Sequence, residues 1–281
     1  MGIAQLLRQH LRDNGVANHE ISRKINFFDA EGLICDERTG TLDPDQEQYA
    51  HNMPHTDDFA EAVRMIKPTA IIGVAGAGKI FTQEVLEEMG RLNDRPIVFA
   101  LSNPTSKAEC TAEEAYRHTD GRCVYATGSP QAPVTLESGP FQDKVLHPGQ
   151  GNNVYIFPGV AMAAVLSGVR HVPSRVFLVA AKTVAKNVTQ QEIERGQVYP
   201  DLERIRDVSI DVAADCMEYI YSAPASESLA SFLPEPVDKH QYIKDHCYST
   251  EYAKLTPQMW HWPGEPERTW DKQRKFDKIR L

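Results

Sequence analysis

The chain has 281 residues, 41% of them apolar and 25% charged, enough for one large core and ordinary for a soluble globular protein. A net charge of −9 excludes a general electrostatic grip on nucleic acid or anionic membrane, and no apolar run approaches the roughly 20 residues of a membrane span. Five cysteines without a CxxC pair fit reduced thiols in a cytosol-like or matrix-like compartment rather than a disulfide framework or zinc site.

Ile3, Leu6, Leu7 and Leu11 keep helical spacing, and Asn14-Gly15 ends that helix. KINFFD (24–29) is a β-prone run closing on Asp29, followed by a polar, Asp-rich loop to about residue 57. Phe59, Ala62, Val63 and Ile66 mark a helix stopped by Pro68, and TAIIGVA (69–75) is a fully apolar strand of the parallel-sheet type. Val85, Leu86, Met89 and Leu92 mark the next helix, and IVFALS (97–102) the next buried strand. Thr111 and Glu114 form a capping box, and CVYATGS (123–129) is one more strand. From about 154 to 222 the pattern is helical, with Ile205, Val208, Val212, Cys216 and Ile220 on one stripe. Residues 1–222 are therefore expected to form the main domain. Residues 223–281, rich in Pro, Trp and Tyr, are expected to wrap over it as an irregular tail in which Trp260, Trp262 and Trp270 pack.

Alternating strands and helices predict an α/β fold. The opening helix leads into a strand ending in an acid, which reads as a βαβ unit without its first strand. In a dinucleotide fold that strand is central, and the turn after it carries the glycine fingerprint. The expected fold class is thus a Rossmann-like doubly wound parallel sheet lacking its first strand, followed by helices and the tail. Such a chain would expose strand edges and fold poorly alone.

GVAGAGKI (73–80) matches a phosphate-binding loop through Gly73, Gly78 and Lys79, but Ile80 stands where Ser or Thr must hold magnesium. A tight turn alongside a cofactor is the better reading, and a nucleotide triphosphatase the second. Asp29 reads either as an acid for a ribose diol or as a turn cap before Glu31-Gly32. Asn103 follows a buried strand, where a neutral amide can donate to a carboxylate without burying a cation; an Asx-turn before Pro104 is the bland alternative. CVYATGSP repeats that geometry. In GQGNNVYIFPG, Gly149 and Gly151 allow close backbone approach while Asn152 and Asn153 point at whatever enters. Three such sites converging on one crevice predict a ligand pocket. The histidines show no ligand spacing, and the acidic Asp43, Asp45 and Glu47 read as a solvated loop.

VAGAGKIF, FALSNPTSKAEC, GRCVYATGSP, HPGQGNNVYIFPGVA and VYPDLERIRDVS together resemble the cofactor-binding half of the malic enzymes, the NAD(P)-dependent decarboxylating malate dehydrogenases, and most of all the mitochondrial NAD-linked type. The resemblance implies that Asn103, Asn152 and Asn153 hold the malate carboxylates, with Asn103 also beside the nicotinamide. It implies that Asp29 binds a ribose and that Gly73, Val74, Ala75 and Gly76 run beside the adenosine. Gln46 stands where NADP-dependent members carry a lysine, which favours NAD over NADP. Leu233 stands where allosteric members carry an arginine, so regulation by ATP is not expected. The family's lysine base, tyrosine acid and carboxylate ligands for Mg²⁺ or Mn²⁺ are expected upstream, with no catalytic or metal-binding residue in this chain. The full-length enzyme would be a mitochondrial homodimer or tetramer oxidising malate to pyruvate and CO₂. The alternative is a non-catalytic cofactor-binding or assembly subunit.

Overall fold

A computed structural model describes residues 1–223, 229 and 233–249 of the chain. The first helix, α1 (Gly2–Asp13), forms where its periodicity predicts but buries only Ala4, and α2 (Asn18–Arg23) follows. KINFFD departs from expectation. Only β1 (Phe28–Asp29) is extended, and it pairs antiparallel with β2 (Gly32–Leu33), outside the parallel sheet. The cause is local and polar. Asp29 accepts the Glu31 N–H at 2.9 Å, and Gly32, at φ +109°, turns the chain back where a side chain would strike the Thr56 carbonyl. The expected loop to residue 57 also contains a short helix, α3 (Pro44–Glu47), capped by Asp43.

From residue 58 the βα alternation appears as predicted. Asp58 caps α4 (Phe59–Ile66), and left-handed Lys67 ends it before Pro68. Then come β3 (Ala70–Gly73), α5 (Gln83–Leu92), β4 (Ile97–Ala100), α6 (Ala112–His118) with the Thr111–Glu114 capping box, and β5 (Val124–Thr127). A small antiparallel hairpin, β6 (Val134–Thr135) with β7 (Val145–Leu146), precedes β8 (Gly149–Gln150). The last strand lies within the stretch read from sequence as a turn.

The sheet runs β3-β4-β5-β8, all parallel, an open α/β arrangement of Rossmann type. Its core is Ile71, Val98, Ala100 and Tyr125 against Val85, Leu86 and Met89 of α5 and Ala115 and Tyr116 of α6. β3 is the outer strand on one side, so its apolar run is not wholly buried: Ile72 is 38% exposed and Val74 just beyond it 62%.

Helices follow: α7 (Phe157–Ser167), α8 (Ser174–Lys186), α9 (Gln190–Glu194), α10 (Ile205–Ser222) and α11 (Lys239–His246). The α10 stripe packs inward through Val208, Val212, Cys216 and Ile220. Gly159 of α7 lets α10 approach closely, since a Cβ there would stand 2.6 Å from Val212 Cγ1. α7 is apolar all round and leaves Phe157, Ala161 and Val165 exposed. Compactness divides the chain into Met1–Asp245 and His246–Leu281. The tryptophans at 260, 262 and 270 lie outside the described residues.

Candidate functional site

The carboxyl ends of the four parallel strands stop in step because backbone bonds continue past each strand. Leu101 N–H donates to the Gly73 carbonyl at 2.9 Å, Gly128 N–H to Ala100 at 3.1 Å, and Gly151 N–H to Thr127 at 2.8 Å. Asn103, Ser129 and Asn152 therefore leave one edge of one sheet, within two residues of its last rungs. That edge is where ligands of open α/β sheets gather.

Asn103 is exposed, and its side-chain oxygen accepts the Ser129 hydroxyl. This bond joins the ends of β4 and β5 and replaces the local Asx-turn that the sequence left open. Asn152 uses its oxygen on the Val154 N–H at 2.9 Å, capping a 3-10 turn at Asn153–Tyr155. Asn153, the first residue of that turn, is exposed, with no hydrogen-bond partner for its amide among the described residues. The –NH₂ groups of Asn103 and Asn152 also have none. Three neutral donors thus face outward from neighbouring turns, a set suited to carboxylate oxygens or a carboxamide.

The turn is held from behind by Tyr155, whose hydroxyl donates to the Pro200 carbonyl at 2.6 Å and whose ring stacks on Tyr199 at 5.4 Å. Burial pushes this phenol up to about 12, so it keeps its proton near neutral pH and remains a donor to Pro200. The apolar run after the amides anchors the turn only in part, because Phe157 is exposed. Gly151 is needed for closeness: a Cβ there would meet Leu101 Cδ2 at 3.0 Å.

On the β3 side, sequence reasoning missed a buried carboxylate. Glu109, fully buried, accepts the Ser102 hydroxyl and, at 3.3 Å, the Ser102 N–H. Ser102 Oγ in turn accepts the Gly76 N–H at 2.9 Å, fixing the loop after β3. Glu109 also packs against Gly73, leaving no space for a Cβ. Nothing in the run SKAEC marks that glutamate as buried. Gly76, at φ +67°, opens onto free space, and Val74 and Ala75 are exposed, so the loop after β3 is open to water beyond the buried Gly73. The same loop departs from a phosphate-binding loop. Lys79 sits at φ +63° with its N–H on Ala108, and the helix starts only at Gln83.

Asp29 and Gln46 are not joined to this edge by any hydrogen bond or ion pair among the described residues. Arg38 grips both carboxylate oxygens of Asp29 at 2.8 and 3.0 Å, and this hydrogen bonding holds the carboxyl below its usual range. Gln46 is spent on its own helix: its N–H donates to Asp43 at 2.8 Å, and its oxygen accepts the Asp43 N–H at 3.0 Å. Asp43 is likewise a cap. Among the described residues no group of three or more His, Cys, Asp or Glu could hold a metal ion. No helix there is long and apolar enough to cross a membrane.

The family model for the malic enzyme NAD binding domain matches residues 1–221. The chain is 45% identical over 265 residues to the human mitochondrial NADP-dependent malic enzyme, covering 94% of this chain and 42% of that protein. It is 42% identical over 268 residues to the NADP-dependent malic enzyme of Sus scrofa, covering 95% and 46%. The mitochondrial NAD-dependent malic enzyme of Ascaris suum matches at 40% over 267 residues, covering 95% and 40%. The chain thus spans less than half the length of these curated relatives. In fold it is similar to the crystal structure of Entamoeba histolytica malic enzyme, with a TM-score of 0.58 and 19% identity over 79% of this chain and 40% of that one. The chain belongs to the malic enzyme NAD-binding domain family.

Proposed function

We propose that residues 1–222 are the cofactor-binding part of an enzyme that oxidises and decarboxylates malate to pyruvate and CO₂ while reducing a nicotinamide cofactor. The observation that carries this reading is the shared edge of β3, β4, β5 and β8, with unpartnered amide donors at Asn103, Asn152 and Asn153 on the same edge as the open loop that follows Gly73. The amides would hold the malate carboxylates, Asn103 would also neighbour the nicotinamide, and Gly73–Gly76 would lie along the adenosine. The cofactor itself supplies the hydride acceptor. The chain's own residues bind and orient.

NAD is the proposed cofactor. Asp29 carries a negative charge where a ribose diol would sit, its one cationic partner Arg38 is already engaged with it and with Glu31, and neutral Gln46 is committed to a helix cap. A 2′-phosphate would find no free cation in that set. The matched relatives include NADP-dependent enzymes, so cofactor choice is a direct test. The proton-transfer groups and the Mg²⁺ or Mn²⁺ site would come from residues outside this chain, and the working enzyme would be an oligomer in the mitochondrial matrix.

A calorimetric titration of the 281-residue chain with NAD and NADP, alongside a malate-dependent NAD reduction assay with Mg²⁺ or Mn²⁺, tests the proposal. NAD binding that weakens in Asn103→Ala, without turnover, is expected. Turnover by the pure chain would overturn the assignment of acid, base and metal to other residues.

The second reading, a non-catalytic assembly subunit, is favoured by one observation. The outer edge of β3 and the stripe Phe157, Ala161, Val165 leave apolar surface open. A chain that associates with a full-length malic enzyme yet binds no NAD would favour it.

A further inference from the structure

A cavity of about 480 Å³ lies at the opposite end of the sheet from the amide edge, where Arg95 precedes β4, Cys123 precedes β5 and Val124 begins it. The site's chemistry starts with Tyr116 of α6. Its side chain is 1% exposed, yet its hydroxyl has no hydrogen-bond partner among the described residues. The hydroxyl is 3.9 Å from where a Cβ on Gly196 would stand, and both residues line the cavity. Burying an unpartnered hydroxyl is costly, and such groups in native proteins call for a partner. Burial drives the Tyr116 phenol upward, so it keeps its proton and can only donate toward charge that a ligand brings.

The rest of the lining is mainly cationic, with Arg95, Arg122 and Lys144 against a single carboxylate. Arg122 is held rigidly by the carbonyls of Asn93, Asp94 and Gly90 at 2.9, 3.0 and 2.8 Å, with its nearest acid, Asp120, at 3.8 Å. Arg95 has no hydrogen bond or ion pair among the described residues, and Lys144 has only the Phe141 ring, 5.4 Å from its Nζ. Asp94 is the one carboxylate in the lining. The same lining includes the apolar side chains Phe141, Leu146 and Ile193. An ion alone would leave that apolar wall wet, and an apolar molecule alone would leave the phenol and two cations unmatched.

We propose that this cavity binds a small organic carboxylate with an apolar body, its anion received by Arg95, Lys144 and the Tyr116 hydroxyl and its body by Phe141, Leu146 and Ile193. It is separate from the amide edge and stands whether or not the proposed cofactor reading does.

Calorimetric titration of the full 281-residue chain with 2-naphthoate tests it, in the presence and absence of NAD and with methyl 2-naphthoate as the neutral control. Saturable binding, unchanged by NAD and about tenfold tighter than that of the ester, is expected. Arg95→Gln combined with Lys144→Gln should weaken it by about tenfold or more, and Tyr116→Phe by roughly three- to tenfold. Tyr116→Phe should also melt no lower than the parent chain, because the lost hydroxyl bonds nothing in the protein. No saturable binding, equal binding of the ester, displacement by NAD, or affinity untouched by these substitutions would overturn the site. A lowered melting temperature in Tyr116→Phe would overturn the role given to its hydroxyl.

Discussion

Ser129 donates its hydroxyl proton to the side-chain oxygen of Asn103, tying the end of β5 to the end of β4. The bond occupies the Asn103 oxygen and leaves its –NH₂ as the end free for the proposed ligand. Ser129→Ala removes the tie and frees the amide to rotate. A net hydrogen bond of about 0.5–1.5 kcal/mol predicts a few-fold loss of NAD affinity, with little change in melting temperature because both groups are near solvent. Unchanged affinity would mean that Asn103 is oriented by something else.

Glu192 gives the clearest pH signature. Burial would raise its pKa, but the N–H groups of Thr189 and Asp201, the Thr189 hydroxyl and Arg204 outweigh that and hold it down at about 2, against an ordinary 4.5. A depressed carboxyl stabilises the fold fully above the unfolded value and loses that contribution as pH falls from about 4.5 to about 2. The depression corresponds to stabilisation on the order of 3 kcal/mol near neutrality. Glu192→Gln should lower stability at pH 7 by a comparable amount and flatten its pH dependence in that acid window. Chemical denaturation at several pH values reads both, and a parallel acid profile in the variant would refute the assignment.

Gly159→Ala should be costly although alanine favours helix. The new Cβ would stand 2.6 Å from Val212 Cγ1 and 2.8 Å from the Ser209 carbonyl, so α7 and α10 must separate. Overpacking of this kind costs about 1–3 kcal/mol, a drop of several degrees in melting temperature. Adding Val212→Ala should recover part of the loss, and Gly2→Ala, in open space, should change nothing.

Asp29→Asn tests cofactor choice. Losing the carboxylate should weaken NAD binding and narrow the gap between NAD and NADP. It also costs Arg38, whose side chain is 9% exposed, its closest carboxylate and one of two hydrogen bonds to it, so a stability loss of about 1–3 kcal/mol is expected. Paired titrations with the two cofactors decide it. An unchanged NAD-to-NADP ratio would remove Asp29 from the ribose.

Much of this was legible in the sequence, for identifiable reasons. Val85, Leu86 and Met89 announced α5 by period, and Thr111 with Glu114 announced the start of α6 by reciprocal capping. Asn103 stood out because it directly follows the apolar run of β4, and Asn152 and Asn153 because glycines precede them and an apolar run follows. What stayed hidden depended on partners distant in sequence. KINFFD has strand composition, yet the Arg38 grip on Asp29 and the Thr56 carbonyl above Gly32 fold it into a hairpin. β8 is two residues long and exists only because Ala126 and Thr127 of β5 are there to pair with it. Glu109 drew no notice in the sequence, and only the fold turns it inward beneath Ser102 and Gly73.

The outer edge of β3 has a consequence for handling the protein. Its backbone donors and acceptors on that side have no neighbouring strand among the described residues, and Ile72 and Val74 beside them are open to water. An uncharged, apolar strand left in that state is a template on which another chain can extend the sheet. Self-association should therefore rise with concentration and respond to Ile72→Lys far more than to salt. Light scattering of the two proteins across a dilution series would separate this edge from any electrostatic cause.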